Sequence, residues 1–246
     1  MTALGFLYPG HSAEDDYPRM EQLLGSDVRL TVVHTETKES GEDVRSVDAL
    51  LAMGSAERLA AGVDELRLSG AEAVVWACAS GSFVRGPQGA HEQVRALARA
   101  AGLPASSTSF AFVRALGEIG AHRVAIGTTF PDDVTGLFAA FLTEAGTEVA
   151  AVHGSGAVTD AEAAGWDYGR VLALAREADR PDADAILLPD AALHTVSHLP
   201  ALEKELAKPV LTANQVSVWE ALRLTGRRVN APGLGTLFTR EPVIQA

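Results

Sequence analysis

Cysteine, basic side chains and long apolar runs are all scarce in this sequence. The single cysteine, Cys78, excludes an internal disulfide framework and is typical of a reducing cytoplasm. No apolar stretch approaches the roughly 18 residues of a membrane span. The opening MTALGFLYPG has neither the basic region nor the long apolar core of a secretory signal. We therefore expect a cytoplasmic protein with no membrane partner.

Basic residues are outnumbered, because 20 Lys and Arg stand against 32 Asp and Glu, which leaves a net charge of −12. Nucleic acids bind to a basic face, so we expect no nucleic-acid partner. Binding of an anionic substrate is compatible with this charge if local donors, such as backbone N–H groups at helix N-termini, offset the repulsion by the negative chain. The sequence leaves the oligomeric state open, a homo-oligomer included.

Several signatures of familiar chemistry are missing. There is no GxxxxGK[ST] loop and no GxSxG elbow. The Gly-x-Gly segments at 154–156 and 233–235 do not fit the dinucleotide pattern. His194 and His198 are four residues apart and resemble half a zinc site, but no HExxH motif and no third ligand accompany them. We therefore predict no metal site.

What the sequence does contain is a globular composition, 47% hydrophobic and 21% charged. Short apolar runs such as VVWA and AILL alternate with amphipathic stretches of helical length. This alternation predicts right-handed βαβ units. The predicted strands are Leu4–Tyr8, Arg29–His34, Ala73–Ala77, Arg123–Gly127, Glu148–Val152, Ala185–Leu188 and Pro209–Thr212, and the predicted helices are Ser55–Leu68, His91–Ala101, Asp132–Ala145, Asp167–Ala178 and Leu199–Ala207.

The second half of the chain repeats the first. AEAVVWACASGS, which begins at residue 71, resembles ADAILLPDAALH, which begins at residue 183. GLPASSTSFAFVRALGEIG resembles AKPVLTANQVSVWEALRLTG, and VAIGTTFP resembles LGFLYP. Three matched segments in the same order indicate a duplicated unit. We predict an α/β fold with two pseudo-symmetric Rossmann-like lobes, each a parallel sheet flanked by helices: residues 1–113 plus 217–246 form the first lobe, and residues 114–216 form the second.

Ligands of open α/β sheets bind beyond the carboxyl ends of the strands, so we expect the active site in the cleft between the lobes. The repeat pairs Cys78 with Asp190, each just past a predicted strand. A thiol and a carboxyl on facing walls are suited to proton transfer or to addition and elimination. Two simpler interpretations stay open, a buried core cysteine and an aspartate that only caps the next helix.

The surroundings of this pair carry further expectations. A helix N-terminus beside Cys78 would lower the pKa of its thiol. Burial in a dry cleft would favour a protonated Asp190 that donates its proton. The small residues after Cys78, from Ala79 to Ser82, would form a carboxylate cradle or simply cap a helix. The candidate substrate-binding residues are Pro9, Gly10, His11, Ser12, Ala79, Ser80, Thr129, Phe130, Ala191 and His194, with His194 and His11 as rim proton donors.

LGFLYP, VVWACASGSF and the tail PGLGTLF resemble the maleate isomerase and arylmalonate decarboxylase branch of the aspartate/glutamate racemase superfamily, and the likeness covers nearly the whole chain. The resemblance implies the two-lobed fold, no metal or organic cofactor, and a small carboxylate as substrate. Racemases and isomerases of this family have two cysteines, at the positions of Cys78 and Asp190. In the isomerases the first cysteine is the nucleophile, which implies that role for Cys78.

The chain departs from the family pattern at several positions. The decarboxylases keep only the second cysteine, whereas this chain keeps the first and has Asp190 at the second. Ser12, Phe130 and Ala79 stand where an Asn, a Tyr and a Thr are common. We therefore expect a cofactor-independent isomerase or racemase of a small carboxylic acid, with Cys78 as nucleophile or base and Asp190 as acid or base. The alternatives are decarboxylation of a malonate-type acid, with Cys78 protonating the carbanion, and a non-catalytic ligand-binding protein.

Overall fold

The computed structural model describes residues 1–35, 45–156 and 159–239. Within these residues, eight strands form two four-stranded parallel sheets with the same strand order. The strands of the first sheet are β1 (Thr2–Pro9), β2 (Val28–Thr35), β3 (Ala73–Trp76) and β4 (Ala105–Ser107), and those of the second are β5 (Arg123–Thr128), β6 (Glu148–Gly154), β7 (Ala185–Leu188) and β8 (Val210–Thr212). The first sheet has the order β2-β1-β3-β4 and the second the order β6-β5-β7-β8. The predicted α/β fold with two parallel sheets is confirmed.

Helices connect the parallel strands, as crossovers between parallel neighbours require. None of the helices in the described ranges is long and apolar enough to cross a membrane. The helices are α1 (Asp16–Leu24), α2 (Val47–Met53), α3 (Ala56–Leu68), α4 (Ser80–Phe83), α5 (Gly86–Ala101), α6 (Thr108–Ile119), α7 (Asp132–Glu144), α8 (Asp160–Ala164), α9 (Tyr168–Ala178), α10 (Leu199–Leu206) and α11 (Ala213–Leu224).

Every predicted strand and helix is present, and most of their ends agree within two residues. The helix predicted to begin at His91 instead begins at Gly86, because Pro87 in the first turn suits a helix start. Strand β4 was not predicted, since its sequence ASS has no apolar run. This strand exists because its backbone pairs with β3, Val74 opposite Ala105. Pairing between distant segments thus overrides a weak local preference.

The hydrophobic core extends between the two sheets. Val124 and Ile126 of β5 belong to the same buried cluster as Leu4 and Phe6 of β1. Ala125 packs on the opposite face of β5, in a second cluster with residues of α9. Alternate residues of a strand point to opposite faces, so the continuous apolar runs reflect sheets that are covered on both sides.

Helices α6 and α11 pack on each other between the two halves of the chain. The Thr108 and Ser217 hydroxyls hydrogen-bond across this contact at 2.6 Å. Helix α11 also contacts β1, β3 and β4 of the first sheet and β8 of the second. The lobe boundaries at 113/114 and 216/217 stay a prediction, and residues 240–246 of the first predicted lobe lie outside the described residues.

Candidate active site

A cavity lies where the carboxyl ends of the central strands of both sheets meet. The first sheet contributes Tyr8 at the end of β1 and Cys78 after β3, and the second contributes Asp190 after β7. Polar side chains that follow neighbouring parallel strands come together at one edge of a sheet. The cavity is narrow, with about 30 Å³ open to groups the size of a water molecule.

Cys78 lies two residues past β3 and is 5% exposed. The backbone N–H of Gly81 donates to its Sγ at 3.3 Å, and Ser80 Oγ lies 3.5 Å from it. Burial raises the pKa of the Cys78 thiol to about 11, and these two hydrogen bonds offset only part of that shift. The expectation of a lowered thiol pKa is therefore wrong, because α4 is a single turn of four residues and desolvation outweighs it.

Asp190 lies two residues past β7 and is 4% exposed, and the groups around its carboxylate donate hydrogen bonds to it. The backbone N–H of Ala192 donates to Oδ1 at 2.9 Å, and Arg45 Nη2 donates to Oδ2 at 3.0 Å. The Thr129 hydroxyl also donates to Oδ2. Because Arg45 Nη1 donates to Thr129 Oγ1 at 2.9 Å, the hydroxyl proton of Thr129 points away from Arg45, toward Asp190.

Three donors thus surround the Asp190 carboxyl group, and its role as acid or base stays a prediction. The helix-cap interpretation accounts for one oxygen only, since Ala192 closes a turn and the next regular element is the short 3-10 helix Val196–His198. The cavity therefore contains a carboxyl group with three donors and a buried thiol.

Arg45 also lines the cavity, and the sequence analysis did not single it out. Its side chain is 11% exposed. Nε donates to Asp160 at 2.9 Å, Nη1 donates to the Thr129 carbonyl at 3.1 Å, and the guanidinium lies over the Phe130 ring at 5.5 Å. Burial by itself would lower the pKa of Arg45, but the Asp190 and Asp160 carboxylates raise it above its ordinary value. No local motif marks Arg45, because its partners lie far away in the sequence.

Tyr8 was also missed, although it is the last residue of the first predicted strand. Its hydroxyl donates to the Ala191 carbonyl at 2.8 Å, accepts from the Ala13 backbone N–H at 3.2 Å and lies 2.8 Å from Ser12 Oγ. Burial raises the pKa of Tyr8 well above its ordinary value. Tyr8 thus connects the loop after β1 to the loop after Asp190.

Most of the predicted site residues line the cavity. Thr129 is not part of the lining and contacts the site through Asp190 and Arg45. The cradle expected after Cys78 is smaller than predicted, because the buried Ser82 hydroxyl hydrogen-bonds Ser107 Oγ at 2.9 Å. The predicted residues that line the cavity are Pro9, Ser12, Cys78, Ala79, Ser80, Phe130, Asp190 and Ala191.

Gly10, His11 and His194 do not line this cavity. The Gly10 carbonyl lies 2.6 Å from the Nδ1 of His34. His194 is held between Asp15, 2.6 Å from its Nε2, and the Ala164 carbonyl, 3.0 Å from its Nδ1. These contacts occupy both ring nitrogens of His194, so its expected role as a rim proton donor stays a prediction.

One group of side chains in the described ranges has the arrangement of metal ligands. The donor atoms of His11, Glu14 and His34 lie within 4.8 Å of one another. His11 Nδ1 is 3.1 Å from Glu14 Oε1, and the two imidazole rings stack at 3.9 Å. His194 and His198, the pair considered from the sequence, do not belong to this group. His11 and Glu14 lie on the loop after β1 and His34 lies in β2, all outside the cavity lining that contains Cys78 and Asp190.

Comparison with known proteins identifies relatives over most of the chain. The sequence profile of the family described as arylmalonate decarboxylase matches residues 44–238. An arylmalonate decarboxylase of Bordetella bronchiseptica is 35% identical over 177 residues, which cover 70% of this chain and 73% of the relative. A maleate isomerase of Geobacillus stearothermophilus is 25% identical over 186 residues, which cover 71% and 72% of the two chains.

A solved structure agrees with these matches in fold. It is an arylmalonate decarboxylase mutant in its liganded form, in which a glycine is replaced by cysteine and a cysteine by serine. It superposes with a TM-score of 0.81 at 27% identity and covers 97% of this chain and 99% of its own.

Proposed function

The chain belongs to the arylmalonate decarboxylase family, and from that premise we propose that it is a cofactor-independent isomerase or racemase of a small carboxylic acid. In this proposal it moves a proton at the carbon next to the substrate carboxylate. Asp190 takes a proton from one face of that carbon, and the Cys78 thiol gives a proton to the other. The observation that carries the proposal is the presence of an ion-paired carboxylate and a protonated thiol in one cavity.

The proton transfer balances within the two side chains. Asp190 removes the proton at the α-carbon, and the electron pair of the broken C–H bond delocalises into the substrate carboxylate. The S–H group of Cys78 then protonates the opposite face and becomes a thiolate. The backbone N–H of Gly81 and the Ser80 hydroxyl lie against this sulfur and would stabilise its charge. A substrate molecule of the opposite chirality then returns Asp190 and Cys78 to their starting protonation states by the reverse transfer. Alternatively, both side chains exchange their protons with solvent.

Nucleophilic addition to a double bond, the role that the family resemblance implies for Cys78, is less well supported. The attacking species in that reaction is the thiolate. A thiol with a pKa raised to about 11 holds little thiolate at neutral pH. Donation of a proton needs the protonated form, which is the form that burial favours.

Decarboxylation of a malonate-type acid is the second candidate, favoured by the name of the 35% identical relative and of the family profile. In that reaction the Cys78 thiol would protonate the carbanion that remains after CO₂ leaves. No proton is removed from carbon, so Asp190 would not act as a base. The two reactions therefore differ in their need for the Asp190 carboxylate.

The experiment follows small acids by proton NMR in D₂O, with a panel of maleate, aspartate, 2-arylpropionates, and 2-aryl- and 2-alkylmalonates. We expect exchange of the α-hydrogen for deuterium without release of CO₂. Asp190→Asn keeps the size of the side chain but cannot take up the proton, so exchange should fall about 10²–10⁴-fold. Asp182→Asn, at the exposed pair with Arg123 and outside the cavity lining, is the matched control and should leave the exchange unchanged.

Other outcomes would overturn the proposal. Release of CO₂ that survives in Asp190→Asn would identify a decarboxylase. Conversion of maleate to its trans isomer that is lost in Cys78→Ser would identify addition and elimination. Stabilisation of the fold by acids of the panel, with no exchange, isomerisation or CO₂, would identify a binding protein.

A further inference from the structure

We propose that Arg45 is the receptor for the substrate carboxylate, and that it binds the substrate by exchanging its contact with Asp190 for a contact with the incoming acid. Binding of the acid would then release Asp190, the proposed base, from Arg45 in the same step. This inference rests on the proposed function and deepens it by naming the ligand chemistry of the same site. The ligand class is a small acid with one free carboxylate.

The charges around the cavity favour Arg45 as this receptor. Among the described residues that line the cavity, Arg45 is the cation, and Asp160 and Asp190 are the anions. A chain with a net charge of −12 repels an acid at long range, so an anion needs a local cation. A second carboxylate on the ligand would lie near Asp160 and Asp190 without a cation of its own, which argues for a single free carboxylate.

Hydrogen bonding in the cavity leads to the same residue. The hydroxyl of Tyr8 is engaged with the Ala191 carbonyl and with Ser12, and the Ser80 hydroxyl lies against Cys78. The planar guanidinium of Arg45 has paired N–H groups whose geometry matches a carboxylate, and its Nε and Nη2 already hold Asp160 through Oδ1. Its Nη2 already holds one carboxylate of the cavity, that of Asp190, at 3.0 Å.

The hydrogen bonds of Arg45 Nη2 require an exchange rather than a simple addition. One Nη2 hydrogen is donated to Asp160 and the other to Asp190 at 3.0 Å, so an acid that binds this nitrogen must displace one of these carboxylates. Arg45 also holds Asp160 through Nε at 2.9 Å and the Thr129 carbonyl through Nη1 at 3.1 Å, and neither of these nitrogens contacts Asp190. An acid that takes the place of Asp190 on Nη2 could therefore leave those other contacts in place.

The exchange has a consequence for the base. Asp190 keeps the donors Thr129 and Ala192 and loses the cationic one. A carboxylate that loses a cationic donor is a stronger base. The base would thus be strengthened only when an acid occupies the site.

Cys78 is the single cysteine, so its alkylation reports on this cavity alone. Iodoacetate and iodoacetamide both react by attack of the sulfur on carbon with loss of iodide. They differ only in that iodoacetate carries a carboxylate and iodoacetamide a neutral amide. We expect the ratio of the two rates to be higher in the native protein than in the same protein in urea. In Arg45→Gln the native ratio should fall about 10–100-fold, the range for charge-assisted hydrogen bonds.

Arg176→Gln is the matched control. It makes the same change of net charge, and Arg176 pairs with Glu205 at 2.8 Å on the exposed surface. We expect it to leave the ratio unchanged. A ratio that stays at the wild-type value in Arg45→Gln overturns the inference, and so does an equal fall in Arg176→Gln.

A second measurement needs no variant and so does not depend on the folding of Arg45→Gln. Propionate should protect wild-type Cys78 from iodoacetamide, and propionamide at the same concentration should not. Equal protection by both, or by neither, overturns the role of Arg45. If the protein exchanges the α-hydrogen but Cys78 shows no preference for carboxylate reagents, Arg45 is not the receptor and the proposed proton transfer stands. If Cys78 shows that preference but no exchange occurs, Arg45 is the receptor and the proposed proton transfer is wrong.

Discussion

Cys78 and Asp190 occupy matching positions in the two halves of the chain, each two residues beyond a buried strand and each about 95% buried. Their partners differ. Asp190 has a cation and two further donors around its oxygens, whereas Cys78 has two weak contacts to sulfur. Desolvation therefore dominates at the thiol and raises its pKa. The same location in the fold thus gives the thiol and the carboxyl group different surroundings.

The raised pKa of Cys78 has a direct consequence for alkylation. Since the thiolate is the nucleophile, we expect the rate with iodoacetamide to keep rising about tenfold per pH unit beyond 9.0 and toward 11 in the native protein. In urea the rate should level off near 9.0, the ordinary thiol value. The measurement is the rate against pH, over the range in which circular dichroism shows the native fold, with Cys78→Ser as the unreactive control.

The same shift affects stability. The unfolded chain releases the thiol proton near pH 9.0 and the folded chain only near 11. The contribution of Cys78 to the free energy of unfolding is therefore complete below pH 9.0 and is lost as the pH rises toward 11. A native alkylation profile that levels off below the denatured one would show an activated thiol and would contradict this account.

The turn after Cys78 is held by neighbouring helices rather than by its own sequence. Gln93 of α5 donates from Nε2 to the Gly54 carbonyl at 2.7 Å and to the Gly81 carbonyl at 2.9 Å. These bonds connect the end of α2 and the single turn α4 to α5. Gly54 lies so close to this turn that an added Cβ would overlap the Gly81 carbonyl oxygen.

Gly54→Ala should therefore disturb the turn that carries Cys78. We expect a loss of about 1–3 kcal/mol in the free energy of unfolding, the usual effect of overpacking, and faster alkylation of Cys78 as α4 moves. Urea unfolding and the iodoacetamide rate measure the two effects.

Gly136→Ala in α7 is the control for this change, since a Cβ there meets nothing within 4 Å. It should stabilise the protein by up to about 1 kcal/mol, because alanine favours a helix. A Gly54→Ala protein as stable as Gly136→Ala would show that α2 and α4 are not closely packed.

Across the whole molecule, α6 and α11 join the two halves through a buried charge. Glu220 of α11 is fully buried and forms ion pairs with Arg114 of α6 and with Arg223. Arg114 also donates to Ser106 Oγ at 2.9 Å, at the end of the first sheet. This pairing crosses the predicted boundary between the lobes, and one hydrophobic core also spans both sheets.

We therefore expect Glu220→Gln to lower the free energy of unfolding of the whole chain by about 1–3 kcal/mol, the range for a lost hydrogen bond to a charged group. The two arginines are about 40% exposed and stay hydrated, which keeps the loss within that range. Glu205→Gln, at the exposed pair with Arg176, should change it by less than about 1 kcal/mol.

Unfolding of both proteins should be a single transition, with coincident urea curves from tryptophan fluorescence and circular dichroism, because the core is shared. Two separate transitions would show that the lobes unfold independently.

Much of the architecture follows from the sequence alone. Continuous apolar runs such as AILL predict strands that are buried on both faces, and β7 is one of them. The internal repeat indicates two like sheets, and the alignment of its halves is sufficient to pair Cys78 with Asp190. These inferences succeed because the hydrophobic pattern of a buried strand and the similarity of two repeats can both be recognised from short stretches of sequence.

The chemistry of the site was decided only by the tertiary structure. Arg45 meets Asp190 across 145 residues, and no motif near either residue marks that contact. Burial of Cys78 reversed the expected direction of its thiol pKa. A protonation state depends on desolvation and on charges brought close by folding, and both are properties of the packed chain rather than of neighbouring residues.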